Sequence, residues 1–248
     1  MKEIAEIEVV ADRTEGSRCD EGFLKLRRLV VRNRYQDGSV SADYPCDIVS
    51  RPHPDAVALC LYRIGAEREV KVVLKESPRV PIYLRKDLAL EVAETRRYRT
   101  LLELVAGLIE TGDGGREGMR ARAAAEAREE AGHEIALDQV AELGDGTFAS
   151  PGTSDEKVYY CSVPIEEMEG GEATGDGTTM EEATRPVVLD LREAIRMCRD
   201  GRLPDMKTEV GLLRLADQIG YLPQLDRFVH ELDSELRAAH DPLGVEPR

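Results

Sequence analysis

Tryptophan is absent from this 248-residue chain and phenylalanine occurs three times, so aromatic residues make up only 4% of it. A core so poor in large rings must rest mainly on Val, Leu, Ile and Ala. Any platform for stacking a base must come from Tyr, Phe or an Arg plane, with Tyr35, Tyr44, Tyr83 and Phe148 as candidates. Positive charge is the second deficit: 34 Lys and Arg stand against 49 Asp and Glu, a formal net charge of −15. Such a surface repels a phosphate backbone, which argues against nucleic-acid binding. It leaves room for a small phosphorylated ligand, because divalent cations neutralise local carboxylate clusters.

Long apolar runs are also missing. The longest, residues 56–62, falls far short of the about 20 residues that span a bilayer. The opening Met1-Lys2-Glu3-Ile4-Ala5-Glu6 is acidic at once and offers no signal-peptide core. Five cysteines (Cys19, Cys46, Cys60, Cys161, Cys198) are scattered without the spacing of a zinc or redox motif, and His53, His133, His230 and His240 form no ligand pattern. These absences lead us to expect a cytoplasmic protein with reduced thiols and no membrane association.

What is present is globular, with 42% hydrophobic and 33% charged residues. Strand-like runs are expected at 4–10 and 23–32, then an Asp37-Gly38 turn and a polar stretch to Ile48. Residues 56–62 are apolar nearly throughout and should be covered on both faces. Further strands are expected at 69–75, 101–110 and 158–163. Pro78 and Pro81 should break the chain into a loop carrying Arg79. A helix from Arg116 to Ala131, rich in Ala, Glu and Arg, should close at Gly132. Residues 166–184 read as a Gly- and Glu-rich loop too poor in apolar groups to pack down, and helices are expected at 189–199, 207–219 and 224–239. Strands and helices without strict alternation argue an α+β fold; no internal repeat is evident.

The chemistry concentrates in Glu126-Ala127-Arg128-Glu129-Glu130-Ala131-Gly132. On a helix Glu126, Glu129 and Glu130 share one face, and their repulsion calls for a compensating charge. A hard divalent cation with oxygen ligands meets that need. The alternative is a solvated acidic face tied by Arg122 and Arg128. Ala123, Ala124, Ala127 and Ala131 form a small apolar face suited to close packing on a sheet. Replacing Glu130 by Gln is expected to spare the fold, since it relieves one of three repelling charges.

Read outward, Gly107, the Gly-rich loop 111–115, Glu117 and the Glu126–Gly132 segment resemble the Nudix box, whose closing Glu, apolar, x, Glu, Glu, x, Gly they match in order and spacing. Two departures stand out. The box arginine is Ala125, with Arg122 or Arg128 as alternatives for its carboxylate-orienting role, and Gly107 lies further ahead of Glu117 than in the commonest form. The resemblance runs from about Ile7 to Leu222 and is nearest to the ADP-ribose and nucleotide-sugar pyrophosphatase branch. It also covers the Lys75–Arg79 loop and the Ser150-Pro151-Gly152…Glu156 motif.

That resemblance implies a Nudix fold, a mixed β-sheet sandwiched by helices, behind an N-terminal antiparallel β-sheet region. Residues 1–50 would be a dimerisation region, 51–222 the hydrolase domain and 223–248 a C-terminal helix and tail. It implies Mg²⁺, with Mn²⁺ as the alternative ion, on Glu126, Glu129, Glu130 and the Ala106 carbonyl, with Glu129 also counted among the catalytic groups. Arg51, Arg79 and Glu156 would contact substrate, and Glu181 or Glu182 in the 166–184 loop would be the base. The implied activity is hydrolysis of ADP-ribose or a related nucleoside diphosphate sugar to a nucleoside monophosphate and a sugar phosphate, by a homodimer. The competing expectation is a Nudix-like sensor that binds such ligands without cleaving them. A capped-RNA or dinucleoside polyphosphate hydrolase ranks lower.

Overall fold

The computed structural model describes residues 22–173, 175 and 184–240. Its centre is strand β3 (Ala56–Ile64), where Val57, Leu59 and Leu61 face one way and Ala58 and Cys60 the other. The run is apolar because both faces are covered, as expected from its composition. β3 pairs antiparallel with β4 (Val70–Pro78) and β6 (Val105–Leu108), and parallel with β9 (Lys157–Pro164). β5 (Thr100–Glu103) and β10 (Arg185–Asp190) add to β4, while β7 (Ala141–Glu142) and β8 (Thr147–Phe148) add to β9. The result is one eight-stranded mixed sheet.

Helix α2 (Gly115–Ala131) covers one face. Met119, Ala123, Ala127 and Ala131 recur at helical spacing and pack on Val57, Leu59, Leu61 and Val73. Small side chains let the helix approach closely, and Gly132, at φ 71°, ends it in the left-handed conformation. The other face is covered by α3 (Leu191–Asp200) and α4 (Met206–Gln218), which bury Leu191, Ala194, Ile195, Leu212 and Leu215 over Ala58, Cys60 and Tyr160. The chain is therefore α+β, with helices on both faces of a large mixed sheet. Burying those apolar side chains on both faces is the main source of its stability. Cys46, Cys60, Cys161 and Cys198 are free thiols. Among the described residues no helix is long and apolar enough to cross a membrane.

At the N-terminal side, β1 (Lys25–Val31) and β2 (Tyr44–Ser50) form a separate antiparallel hairpin. It joins the rest where the Val49 N–H donates to Thr153 O at 2.7 Å and Ser50 Oγ to Asp155 Oδ2 at 2.9 Å. The strand expected at 4–10 lies outside the described residues.

Four expectations are corrected. The chain after Pro78 forms a short helix, α1 (Val80–Tyr83), and a 3₁₀ turn, Leu84–Asp87, because Pro81 falls in the first turn, where a missing N–H costs nothing. The expected strand 101–110 is two strands, because the Leu104 N–H leaves the ladder for Thr208 Oγ1 at 2.8 Å. The helix expected from Leu189 starts at Leu191. Leu189 and Asp190 end β10, and the Asp190 side chain caps the helix by accepting from the N–H groups of Arg192 and Glu193. Residues 224–239 are not one helix. A turn with Asp226 at φ 55° joins β11 (Tyr221–Leu222) to β12 (Arg227–Phe228), and α5 (Ser234–Ala239) starts behind its own Asp233 cap.

Candidate active site

α2 delivers Glu126, Glu129 and Glu130 to the end of the sheet where β3 begins and where β4, β5 and β6 finish or start. Glu130 is buried, with one oxygen accepting from the Ala106 N–H at 3.0 Å. Its other oxygen accepts from Lys75 Nζ, which β4 sends in beside Val73, on the α2 side of the sheet. Glu126 lies against Gly107, where a Cβ would overlap its carboxylate. Only glycine permits that approach. Gly107 and Glu126, both in the stretch that resembles the box, therefore meet despite the longer loop between them.

Electrostatics distinguish the cluster. Burial, then Glu130 and Glu129, push the Glu126 carboxyl up to about 7; Lys75 and Arg122 oppose this without overcoming it. Of the two stand-ins for the missing box arginine, Arg122 spends its guanidinium on Asp113 (3.0 Å) and Glu110 (3.2 Å), tying the loop ahead of α2. Arg128 is exposed and bonds Glu129 at 3.3 Å. Neither is hydrogen-bonded to Glu126 or Glu130; the cation bonded to Glu130 is Lys75.

A second charged group lies on the neighbouring strand. Glu103 is buried and accepts from Arg79 Nε at 2.6 Å, Lys207 Nζ at 2.6 Å and Ser77 Oγ at 3.3 Å. Lys207 also bonds Asp205, which caps α4. Burial pushes Glu103 up, but Lys207 and Arg79 outweigh it and hold the carboxyl below the usual range. Arg79 is thus anchored at Nε, with its side chain 36% exposed.

Arg51 and Glu156, from different motifs, come together: Arg51 Nη2 donates to Glu156 Oε1 at 2.7 Å and to Pro54 O at 3.2 Å. Arg51 Nε is buried without a protein partner. The pair stands at the same sheet end, since Ala56 lies in register with both Leu108 and Val158. Tyr83 is buried, with its hydroxyl accepting from Lys86, which removes it as a stacking platform; Tyr35, Tyr44 and Phe148 are exposed.

Glu181 and Glu182 lie outside the described residues. The chain on either side of them is rooted at the cluster. Gly171 N–H donates to Gly132 O at 2.8 Å, Gly175 N–H to Glu129 O at 2.9 Å, and β10 re-enters with Pro186 opposite Lys75. Ile165 and Met168 pack on the α2-side core, so the first part of this loop does pack down, contrary to expectation.

Glu126, Glu129 and Glu130 match a hard divalent ion in donor chemistry, being all oxygen, and in charge, since Glu126 has no ion-paired partner among the described residues. Among the described residues, no three acidic, His or Cys side chains converge as a metal cage. The charge in contact with Glu130 is the Lys75 ammonium. The Lys75–Arg79 stretch, expected as a loop, is the end of β4 as far as Pro78; the pairings of Lys75, Glu103 and Lys207 escaped sequence reading because their partners lie across strands and helices. The alternation of Lys75 with Val73 was the available signal.

Scanned against models of known protein families, the chain matches none, and a search of curated proteins finds no match either.

Proposed function

We propose that the chain is a Nudix-type hydrolase that uses a divalent ion, Mg²⁺ or Mn²⁺, to cleave the diphosphate of ADP-ribose or a related nucleoside diphosphate sugar. The products would be a nucleoside monophosphate and a sugar phosphate. The observation that carries this reading is the Gly107–Glu126 contact: two residues matching the box in sequence meet in space, at a carboxyl raised by burial and then by two neighbouring glutamates. The mixed sheet with helices on both faces is compatible with a Nudix fold.

Glu126, Glu129 and Glu130, with the Ala106 carbonyl, would hold the ion. When bound, it supplies charge neutralisation at the diphosphate and lowers the pKa of a water. Arg79, fixed at Nε by Glu103, presents positive charge to a phosphate oxygen. Arg51, clamped to Glu156, orients the remainder of the substrate. Glu181 or Glu182 would take the proton from the attacking water. The β1–β2 hairpin exposes Phe23, Leu24, Val30 and Tyr35, a surface that a second copy would cover in a homodimer.

One observation favours a second reading. Lys75 occupies Glu130, and so stands in the way of the ion that hydrolysis needs and that a ligand-binding sensor does not. A phosphate-release assay on ADP-ribose and a panel of nucleotide sugars, coupled to phosphatase, separates the two. Release that requires Mg²⁺ supports the hydrolase; ligand binding with no release at any Mg²⁺ concentration supports the sensor.

A further inference from the structure

The helix sequence lacks a cation where the box calls for one, and the sheet provides it. Position 125 is Ala, Arg122 is committed to Asp113 and Glu110, and Arg128 is exposed on Glu129. Lys75, its side chain 6% exposed, reaches across from β4 to Glu130. An ammonium this buried costs several kcal/mol unless it is paired, so Lys75 holds a carboxylate while the site is unloaded.

We propose that Lys75 is a positioning residue of the carboxylate site: a resident counter-cation that holds Glu130 against the Ala106 N–H while the site is unloaded, and competes with a divalent ion for its carboxylate. This rests on the reading that the α2 carboxylates take such an ion. An incoming ion meets a unit positive charge already in hydrogen-bond contact with one of its three ligands. To be held by Glu130 it must push the ammonium aside or accept its repulsion. Lys suits this role better than Arg. Its charge is compact and sits on a flexible stem, so it can withdraw without dismantling a bidentate fork.

The test is Mn²⁺ binding to the full chain, read from the paramagnetic resonance signal of the free ion, without substrate or turnover. Lys75→Gln is expected to bind Mn²⁺ about tenfold tighter than wild type or more, from removal of one positive charge within a few ångströms. Lys75→Arg, which keeps the charge on a less easily withdrawn fork, should bind no tighter than wild type, and Glu126→Gln should bind more weakly than wild type. Equal or weaker binding by Lys75→Gln overturns the counter-cation role alone. No binding by any of the four chains overturns the ion-site reading and this proposal with it. A second measurement on the wild-type protein guards against a variant that fails to fold: acylation of Lys75 by an amine reagent, followed by mass spectrometry with and without Mg²⁺. Faster labelling with the ion is expected, and labelling unchanged at saturating Mg²⁺ overturns the competition.

Discussion

Glu103 and Glu126 are carboxylates withdrawn from water at the same end of one sheet, and their surroundings act on them in opposite directions. Glu103 is met by Lys207 and Arg79, which hold its carboxyl below the usual range against the effect of burial. Glu126 is met by Glu130 and Glu129, which add to burial and raise it to about 7. The first group is electrostatically closed: every charge in it has a partner within the chain. The second is left one positive charge short, even with Lys75 in place. Closed clusters hold a structure together, whereas an uncompensated cluster costs stability and is retained where a ligand supplies the missing charge.

The contrast predicts opposite signs for like substitutions. Glu103→Gln should show the largest effect, a loss of about 3 kcal/mol in denaturant unfolding, because Arg79 and the half-buried Lys207 both lose their shared carboxylate and Lys207 keeps only Asp205. The pH profile of this variant should change as well. Glu103 has a depressed folded-state pKa, so its stabilisation is present above the unfolded value and is lost as pH falls through the folded one; the variant should lack that acid limb. Glu130→Gln belongs with it in stability, contrary to what repulsion along the helix alone suggests, since it strands Lys75. A loss of a few kcal/mol together with collapse of turnover is expected. A variant as stable as wild type would show that Lys75 finds another partner.

Glu126→Gln should go the other way. A carboxyl raised to about 7 destabilises the fold increasingly as pH rises from the unfolded value, near 4.5, towards 7, and fully above that. Without divalent ion, the variant should gain on the order of 2–3 kcal/mol at pH 8 and nothing at pH 4. A loss at pH 8 would mean that Glu126 is paired. The smallest effect on stability is expected from Gly107→Ala. The new methyl meets the far end of a flexible side chain, so Glu126 moves and stability changes by under about 1 kcal/mol. Divalent-ion affinity and turnover should nevertheless fall together, because that carboxylate is displaced from the cluster.

Local signals made α2 and β3 legible in the sequence. Ala-Glu-Arg composition, a closing Gly132 and carboxylates at helical spacing are properties of one segment, and so is a strand apolar on both faces. The element boundaries that went astray turn on distant partners. No reading of residues 101–110 alone reveals that Leu104 gives its amide to Thr208, and Leu189 and Asp190 stay in a strand because β4 offers them an edge. The candidate site divides the same way. The three helix glutamates were visible from spacing, whereas the lysine that meets Glu130 arrives from β4 and the one that meets Glu103 from α4, and the order of strands in a sheet is not written in any one of them.

The seam between the end of α2 and the loop after β9 is made of backbone. Gly132 and Gly171 are hydrogen-bonded to each other, a Cβ on Gly132 would strike Gly171 O, and a Cβ on Gly170 would strike Ala131 O. Side chains take no part in these contacts, which join the packing of Met168 on the α2-side core in docking the loop. Even alanine at 132 or 170 would force the two backbones apart. The seam is thus a socket: it fixes the root of the loop beside Glu129, and it admits no side chain at those two positions.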